Sequence, residues 1–293
     1  MNLLNIINIK SLSILAINNI LKEAKLIEQF PNHYQEVLSN SIIASLFYEP
    51  STRTSMSFQT AIYKMNGKNL VFNEQYSSTQ KGESIMDTVK TIENYADALI
   101  IRHPEKGIID KISKITNKPI INAGDGNGDH PTQSLLDLYT ILQYQQPPFS
   151  IAFTGDIDNS RTIHSLIDLL DKMYDDIFYY FIPCDNQKLD KIKIIKNKFK
   201  IVYTLDEIIS DIDVISMTRL QKERWNHNTI INNININESL LNKTKDTTIL
   251  MHPLPRNSEI PESLDDHPKS KYFEQAKNGV VVRMAILKYI LKF

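Results

Sequence analysis

A short apolar run, a polar turn and a helical stretch recur in that order along most of this chain. Residues 42–47 form such a run before a helical pattern over 56–65, and residues 150–155 form another before a helical pattern over 161–170. Alternating β and α units predict mainly parallel sheets with right-handed crossovers and helices on the sheet faces. We therefore predict an α/β fold of doubly wound sheets flanked by helices.

The length of the chain and one break in this pattern predict two domains. With 293 residues the chain fits two α/β domains better than one core. Pro147-Pro148 ends a helical stretch over 131–144, so we predict a boundary there, with domains over 1–147 and 148–279 and a last helix within 280–293. Further predicted strands cover 98–101, 119–122, 177–182, 213–217 and 248–251, and a further helix covers 108–115.

Composition excludes several classes of function. A formal net charge of -1 gives no global field that would favour nucleic acid. The single cysteine, Cys184, excludes an internal disulfide framework and a zinc site built from thiolates. No apolar run reaches the roughly 20 residues needed to cross a membrane, and the start of the chain lacks the pattern of a secretory signal. The expectation is a cytoplasmic protein with no nucleic-acid or membrane partner.

The turn Ser51-Thr52-Arg53-Thr54 follows a predicted strand and begins a predicted helix. The first amides of a helix and the positive end of its dipole attract anions. Hydroxyl groups and a guanidinium add charge-assisted hydrogen bonds that suit phosphate. An ordinary Ser/Thr helix cap beside a surface arginine explains the same segment equally well.

Other loops after predicted strands carry polar residues of the same kind. Three glycines between Gly124 and Gly128 allow close approach to a ligand and are followed by His130 and Gln133. The other segments are Arg102-His103-Pro104, Arg161 at the start of a predicted helix, Ser216 to Arg224, and His252-Pro253-Leu254-Pro255-Arg256. A separate polar loop carries Ser77 and Lys81, and by itself it resembles a surface loop.

These loops hold arginines, histidines and lysines, without a nucleophile–base pair and without metal-ligand spacing. Such residues bind anions and stabilise developing charge, so we predict neither a metal nor a cofactor. The segment Gly155 to Thr162 lacks the G-x-G-x-x-G spacing of dinucleotide-binding proteins.

The ordered motifs at 51–54, 102–104, 130–133 and 252–256, with Tyr272 to Ala276 near the end, resemble the aspartate/ornithine carbamoyltransferase family. The resemblance covers nearly the whole chain. It implies transfer of a carbamoyl group from carbamoyl phosphate to an amine, with release of phosphate. It also implies that domain 1–147 binds carbamoyl phosphate, that domain 148–279 binds the amino acid, and that helix 280–293 returns to the first domain.

The resemblance assigns roles to single residues. Ser51, Thr52, Arg53 and Thr54 would hold the phosphate, and Arg102 would reach the phosphate and the carbonyl side of carbamoyl phosphate. His130 and Thr54 would donate to the carbonyl oxygen, and Gln133 with the carbonyls of Leu254 and Pro255 would hold the carbamoyl NH2. The residues expected to be catalytic are Arg53, Thr54, Lys81, Arg102 and His130.

The second domain indicates which amine accepts the group. Arg161, Arg219 and Gln221, with Lys81, would bind the two carboxylates of aspartate, whereas an arginine would repel the ammonium of ornithine. The implied product is N-carbamoyl-L-aspartate, formed early in pyrimidine biosynthesis. Two alternatives stay open: another acceptor such as ornithine or N-acetylornithine, and an inactive paralogue that serves as a subunit scaffold.

The resemblance also implies a homotrimer whose active sites are shared. Ser77 and Lys81 would reach the site of the neighbouring subunit, and the alternative is a solvated surface loop. Separate regulatory chains are a further partner that the family allows.

Overall fold

A computed structural model of the chain describes residues 3–184, 189–190, 192, 194, 196–220 and 236–293. The chain divides into two compact units. The first consists of Met1–Leu135 with Asn278–Phe293, and the second of Leu136–Lys277.

The first unit contains a parallel sheet whose order, within the described residues, is β2-β1-β3-β4. Strands β1 and β3 are central and almost wholly apolar, so both of their faces are buried, as expected for a parallel sheet covered by helices. The elements are α1 (Ile14–Gln29), β1 (Ile42–Phe47), α2 (Thr52–Lys64), β2 (Lys68–Phe72), α3 (Ile85–Ile92), β3 (Ala98–His103), α4 (Ile108–Ser113) and β4 (Ile120–Asp125).

The second unit contains a parallel sheet of order β7-β6-β5-β8-β9 within the described residues. Its core includes Phe153, Tyr179 and Phe181, whose rings pack together; the Phe153 and Phe181 centroids are 5.7 Å apart. The elements are β5 (Ser150–Gly155), α6 (Arg161–Met173), β6 (Phe178–Pro183), β7 (Lys198–Ile201), β8 (Val214–Met217), α7 (Glu238–Asn242) and β9 (Ile249–Met251).

Two helices, α5 (Pro131–Tyr144) and α8 (Tyr272–Leu291), continue in sequence from one unit into the other. The C-terminal part of α8 packs on helices of the first unit. Lys288 Nζ lies 3.0 Å from Glu23 Oε1 on α1, and the Arg283 guanidinium lies over the Phe58 ring of α2 at 5.0 Å. The predicted return of the C-terminal helix to the first domain is confirmed.

The predicted α/β class with two mainly parallel sheets is confirmed, and several element limits differ. Helix α2 begins at Thr52 rather than at residue 56, so the whole Thr52-Arg53-Thr54 segment is helical. Helix α8 begins at Tyr272 rather than at residue 280, because Asn278-Gly279 continues the helix instead of ending it. Strands β2 and β7 were missed because they are short, largely exposed edge strands: β2 has only the short apolar run Leu70-Val71-Phe72, and β7 alternates lysine with apolar residues.

None of the described helices is long and apolar enough to cross a membrane.

Candidate active site

The carboxyl end of β1 leads directly into the first turn of α2. Ser51 is extended, with φ -157° and ψ 96°, and the helix begins at the next residue. The Ser51 side chain accepts no hydrogen bond from a helix amide that the structure describes. The first-turn amides and the Ser51 hydroxyl therefore do not satisfy each other, as an ordinary serine cap would.

Arg53 and Thr54 occupy this first turn with different environments. Thr54 is buried, whereas Arg53 is exposed. The Arg53 guanidinium makes no hydrogen bond or ion pair with any residue that the structure describes, and partial burial lowers its pKa. An arginine stays protonated in proteins, so its donors are available to an anion at the start of α2.

Arg102 lies on β3 beside the end of β1 and is buried. Its Nη1 donates to the Ala123 carbonyl on β4 at 3.4 Å, and its Nη2 lies 3.1 Å from Glu49 Oε2. The Tyr48 amide donates to the Arg102 carbonyl at 2.9 Å, which ties the loop after β1 to the end of β3. Arg102 is thereby fixed next to the start of α2.

The glycine-rich loop after β4 is held against the loop after β3. Gly126 has φ 51°, its amide donates to the His103 carbonyl at 2.7 Å, and a Cβ there would lie 2.2 Å from the Pro104 carbonyl oxygen. Asp125 reaches both loops, because its carboxylate accepts from the amides of Asp129 at 2.7 Å and Gly107 at 2.8 Å. Only glycine at position 126 fits the close approach to the Pro104 carbonyl.

His130 follows this loop and is buried directly before α5. Its carbonyl accepts from the Gln133 amide at 3.0 Å, so Gln133 lies in the first turn of the helix and is half-buried. The first unit thus gathers the 51–54 turn, Arg102, His130 and Gln133 at the carboxyl end of one sheet.

Ser77 and Lys81 do not join this group within the chain. Ser77 bonds within its own loop, where its hydroxyl donates to the Glu74 carbonyl at 2.8 Å and accepts from the Thr79 amide at 3.4 Å. Lys81 is exposed and makes no hydrogen bond or ion pair with a described residue. The loop follows β2, which is one of the two edge strands of the sheet within the described residues.

In the second unit, β5, β8 and β9 are neighbours, so their carboxyl ends lie side by side. Arg161 is the first residue of α6, after the cap Ser160, and Arg219 follows β8 closely and is half-buried. Gly155 has φ 97°, and a Cβ there would lie 2.0 Å from the Thr218 carbonyl oxygen. This close contact brings the loops that carry Arg161 and Arg219 together.

The turn His252-Pro253-Leu254-Pro255-Arg256 follows β9 and is held at both ends. Leu254 has φ 55° and precedes a cis peptide bond. Arg256 is bound by the Asp265 carboxylate, with Nη2 2.7 Å from Oδ2, and by the Tyr272 hydroxyl at 2.9 Å. The hydrogen bond from Arg256 lowers the pKa of Asp265 to about 2, so the carboxylate is charged across the physiological range.

One predicted site residue, Gln221, lies outside the described residues. Three residues that hold the 252–256 turn were missed in the sequence: Asp137, Glu259 and Gln275. All three are buried. Asp137 and Gln275 lie far from the turn in sequence, Glu259 follows it, and no local motif marks any of them.

Two family models match this chain. One, the carbamoyl-P binding domain of aspartate/ornithine carbamoyltransferase, matches residues 4–143, and the other, the Asp/Orn binding domain, matches residues 149–290.

Relatives and solved structures agree with these matches. The aspartate carbamoyltransferase catalytic subunit of Methanocaldococcus jannaschii is 39% identical over 98% of both chains, and that of Methanobrevibacter smithii is 42% identical over 98% of this chain and 95% of its own. The solved catalytic subunit of the M. jannaschii enzyme superposes with a TM-score of 0.89 at 38% identity, over 98% of both chains. The Trypanosoma cruzi enzyme, in complex with aspartate and phosphate, superposes with a TM-score of 0.88 at 33% identity, over 97% of this chain and 93% of its own.

Proposed function

This chain belongs to the aspartate/ornithine carbamoyltransferase family, and from that premise we propose how its residues divide the work of carbamoyl transfer. Its activity is that of an aspartate carbamoyltransferase of pyrimidine biosynthesis. The carbamoyl group of carbamoyl phosphate passes to the amino group of L-aspartate, which gives N-carbamoyl-L-aspartate and phosphate.

Ser51, Thr52, Arg53 and Thr54 bind the phosphate group in this proposal. The observation that carries it is the start of α2, where the Ser51 hydroxyl does not cap the helix and the Arg53 guanidinium has no partner among the described residues. Amides of a helix start and a guanidinium together suit a dianion. Arg102, fixed beside this turn, adds charge on the side of the carbonyl oxygen.

The carbamoyl group needs donors at its oxygen and acceptors at its nitrogen. Thr54, Arg102 and His130 donate to the oxygen, whose negative charge grows as the amine attacks the carbamoyl carbon. Gln133 and the carbonyls of Leu254 and Pro255 accept from the NH2 group. The bond from carbon to the phosphate oxygen then breaks, and the departing phosphate takes the proton of the attacking amine, so the reaction needs no separate general base.

Arg161, Arg219 and Gln221, with Lys81, bind the carboxylates of aspartate. Support comes from the close approach of Gly155 to Thr218, which brings the loops with Arg161 and Arg219 together at the carboxyl end of the second sheet. Paired guanidinium groups bind a dicarboxylate and repel the side-chain ammonium of ornithine. We expect Arg219→Gln to raise the KM for aspartate by about 10- to 100-fold, in line with one lost charged hydrogen-bond pair.

Ser77 and Lys81 act in the neighbouring subunit of a homotrimer. The exposed edge strand β2, beside their loop, supports this proposal: Leu70 and Val71 expose apolar side chains on it, and Tyr76 is 88% exposed. Exposed apolar edge strands are uncommon in monomers because they invite pairing with another chain. A second subunit packed here would bury this surface and receive Lys81.

The relatives named catalytic subunits suggest a further partner. On that ground we propose that separate regulatory chains also bind this protein, and copurification from its source tests it. We also propose a cytoplasmic location, which the single buried cysteine, Cys184, supports because it needs no oxidising compartment.

The test of the activity uses purified protein, carbamoyl phosphate and three acceptors: L-aspartate, L-ornithine and N-acetyl-L-ornithine. We expect carbamoylated product with aspartate only. Product with another acceptor would move the assignment to that amino acid, and no product with any acceptor would favour the inactive scaffold.

A further inference from the structure

Four histidines of this chain are followed by proline, and three of them make the same contact. In His103-Pro104, His252-Pro253 and His267-Pro268, the histidine Nδ1 accepts the amide of the residue two positions later, at 2.9, 2.8 and 3.2 Å. A ring nitrogen that accepts a hydrogen bond carries no proton, so each of these imidazoles carries its proton on Nε2. The contact closes a short turn, as an Asn or Asp side chain does in an Asx turn.

His252 differs from the other two because it is fully buried and both its ring and its backbone amide make hydrogen bonds to buried side chains. It is 1% exposed, and its Nε2 lies 3.0 Å from Glu259 Oε1. Its own amide donates to Gln275 Oε1 at 3.0 Å, and Gln275 Nε2 donates to Asp137 Oδ1 at 2.6 Å.

The carboxylate that accepts the hydrogen bond from His252 Nε2 is itself held in place. Glu259 also accepts from the Asn257 amide at 3.0 Å. Burial alone would raise the pKa of Glu259, but these hydrogen bonds lower it on balance, so Glu259 is ionised and suited to accept from Nε2–H. The imidazole therefore has one orientation and one tautomer.

Leu254, whose amide donates to His252 Nδ1, is in an unfavourable backbone conformation. Leu254 has φ 55°, a left-handed conformation that costs a residue with a Cβ on the order of 1 kcal/mol or more. The hydrogen bond from the Leu254 amide to His252 Nδ1, at 2.8 Å, ties this residue to the fixed imidazole.

We propose that His252 is a positioning residue that holds the carbonyls of Leu254 and Pro255 in place for the carbamoyl NH2 of the substrate. This inference rests on the proposed role of those two carbonyls. His252 does not touch the substrate itself; it acts through the backbone of the turn, and Glu259 acts through His252.

The experiment compares two substitutions of equal polarity in the complete protein. In His252→Asn the side-chain oxygen can still accept the amide two residues later. In His252→Gln the amide group reaches toward Glu259 and the acceptor near the Leu254 amide is lost. The ligands, measured by calorimetry, are carbamoyl phosphate and inorganic phosphate, which lacks the carbamoyl NH2.

We expect His252→Gln to raise the Kd of carbamoyl phosphate by about 10- to 100-fold, the effect of one or two misplaced hydrogen bonds, and to leave the Kd of phosphate within about twofold of the wild type. His252→Asn should restore most of the carbamoyl phosphate affinity. His267→Gln, which removes the same contact at a turn without a proposed ligand, should change neither Kd. Nitrogen-15 NMR of the wild-type imidazoles should show His252 with its proton on Nε2.

Each other result has a defined meaning. If the wild type binds phosphate but not carbamoyl phosphate, the proposed function is wrong and this inference falls with it. If the wild type binds carbamoyl phosphate and His252→Gln binds it equally well, only the positioning role is wrong. A proton on Nδ1 of His252 would also overturn it.

A variant that does not fold is covered by Glu259→Ala, which removes the anchor and leaves Nδ1 in place. We expect it to raise the Kd of carbamoyl phosphate, but less than His252→Gln does, and to spare phosphate. An unchanged Kd of carbamoyl phosphate in Glu259→Ala contradicts the inference.

Discussion

Arg102 and Glu49 form an ion pair, with Nη2 3.1 Å from Oε2, at the carboxyl end of the first sheet, close to the start of α2. A phosphate that binds Arg102 must compete with this carboxylate for the guanidinium. We therefore expect Glu49→Gln to lower the Kd of inorganic phosphate by about two- to fivefold, the effect of a partly exposed ion pair of up to about 1 kcal/mol. Calorimetry measures it.

The matched control is Glu105→Gln, which removes the same charge from an exposed pair with Lys111 at 2.9 Å. It should leave the phosphate Kd unchanged. Equal effects of the two variants would mean that net charge, and not competition for Arg102, sets the affinity.

Lys81 and Arg53 belong to different subunits of one active site if the trimer proposal holds. Lys81→Ala and Arg53→Ala homotrimers should each retain less than about 1% of wild-type kcat, since each loses a charged group that stabilises the transition state. Subunits of the two variants, dissociated, mixed and reassembled, should regain part of the activity because some interfaces then combine two intact residues.

Lys90→Ala, a change at an exposed lysine of α3, serves as the control and should stay active. A mixture of the Lys81 and Arg53 variants that stays as inactive as its components contradicts the shared site.

Gly155→Ala tests the contact that brings the two arginine loops together. The added Cβ would lie 2.0 Å from the Thr218 carbonyl oxygen, in addition to the strain of φ 97°. We expect a loss of about 3 kcal/mol or more in unfolding free energy, or a displaced loop with an aspartate KM at least about tenfold higher. Urea unfolding and steady-state kinetics measure the two effects.

Gly107→Ala is the control for backbone strain alone. Gly107 has φ 78°, and a Cβ there would meet nothing within 4 Å. Its cost should be about 1 kcal/mol. If the two glycine variants behave alike, the close approach to Thr218 does not matter.

The sequence predicted the positions at strand ends well because apolar runs and helix starts are local signals. Ser51 to Thr54, His130, Arg161 and the 252–256 turn all follow strands as expected, whereas Arg102 lies at the end of β3 itself. The edge strand β2 carried only the short apolar run Leu70-Val71-Phe72, and its strand structure depends on pairing with β1.

The residues that hold the site in place could not be predicted in the same way. Glu259 and Gln275 contact His252, and Asp137 contacts Gln275, only in the folded unit. Gln275 and Asp137 are 138 positions apart in the sequence. A buried polar network has no periodicity, so a single sequence does not reveal it. The close approaches at Gly126 and Gly155 also depend on which loops become neighbours.

Asp265 links the end of the 252–256 turn to stability at low pH. Hydrogen bonds from Arg256 lower its pKa from 3.8 to about 2 in the folded chain. A carboxyl group with a lowered folded pKa contributes stability fully above its unfolded pKa, and the contribution is lost as the pH falls from about 4 through 2. Asp265→Asn should therefore cost about 1–2 kcal/mol of unfolding free energy at pH 6, after allowance for partial exposure, and almost nothing near pH 2.

Urea unfolding between pH 2 and 7 measures the difference, with Asp110→Asn as control because Asp110 forms an exposed pair with Lys114. A difference between the wild type and Asp265→Asn that does not shrink as the pH falls would show that the carboxylate charge is not what stabilises the turn.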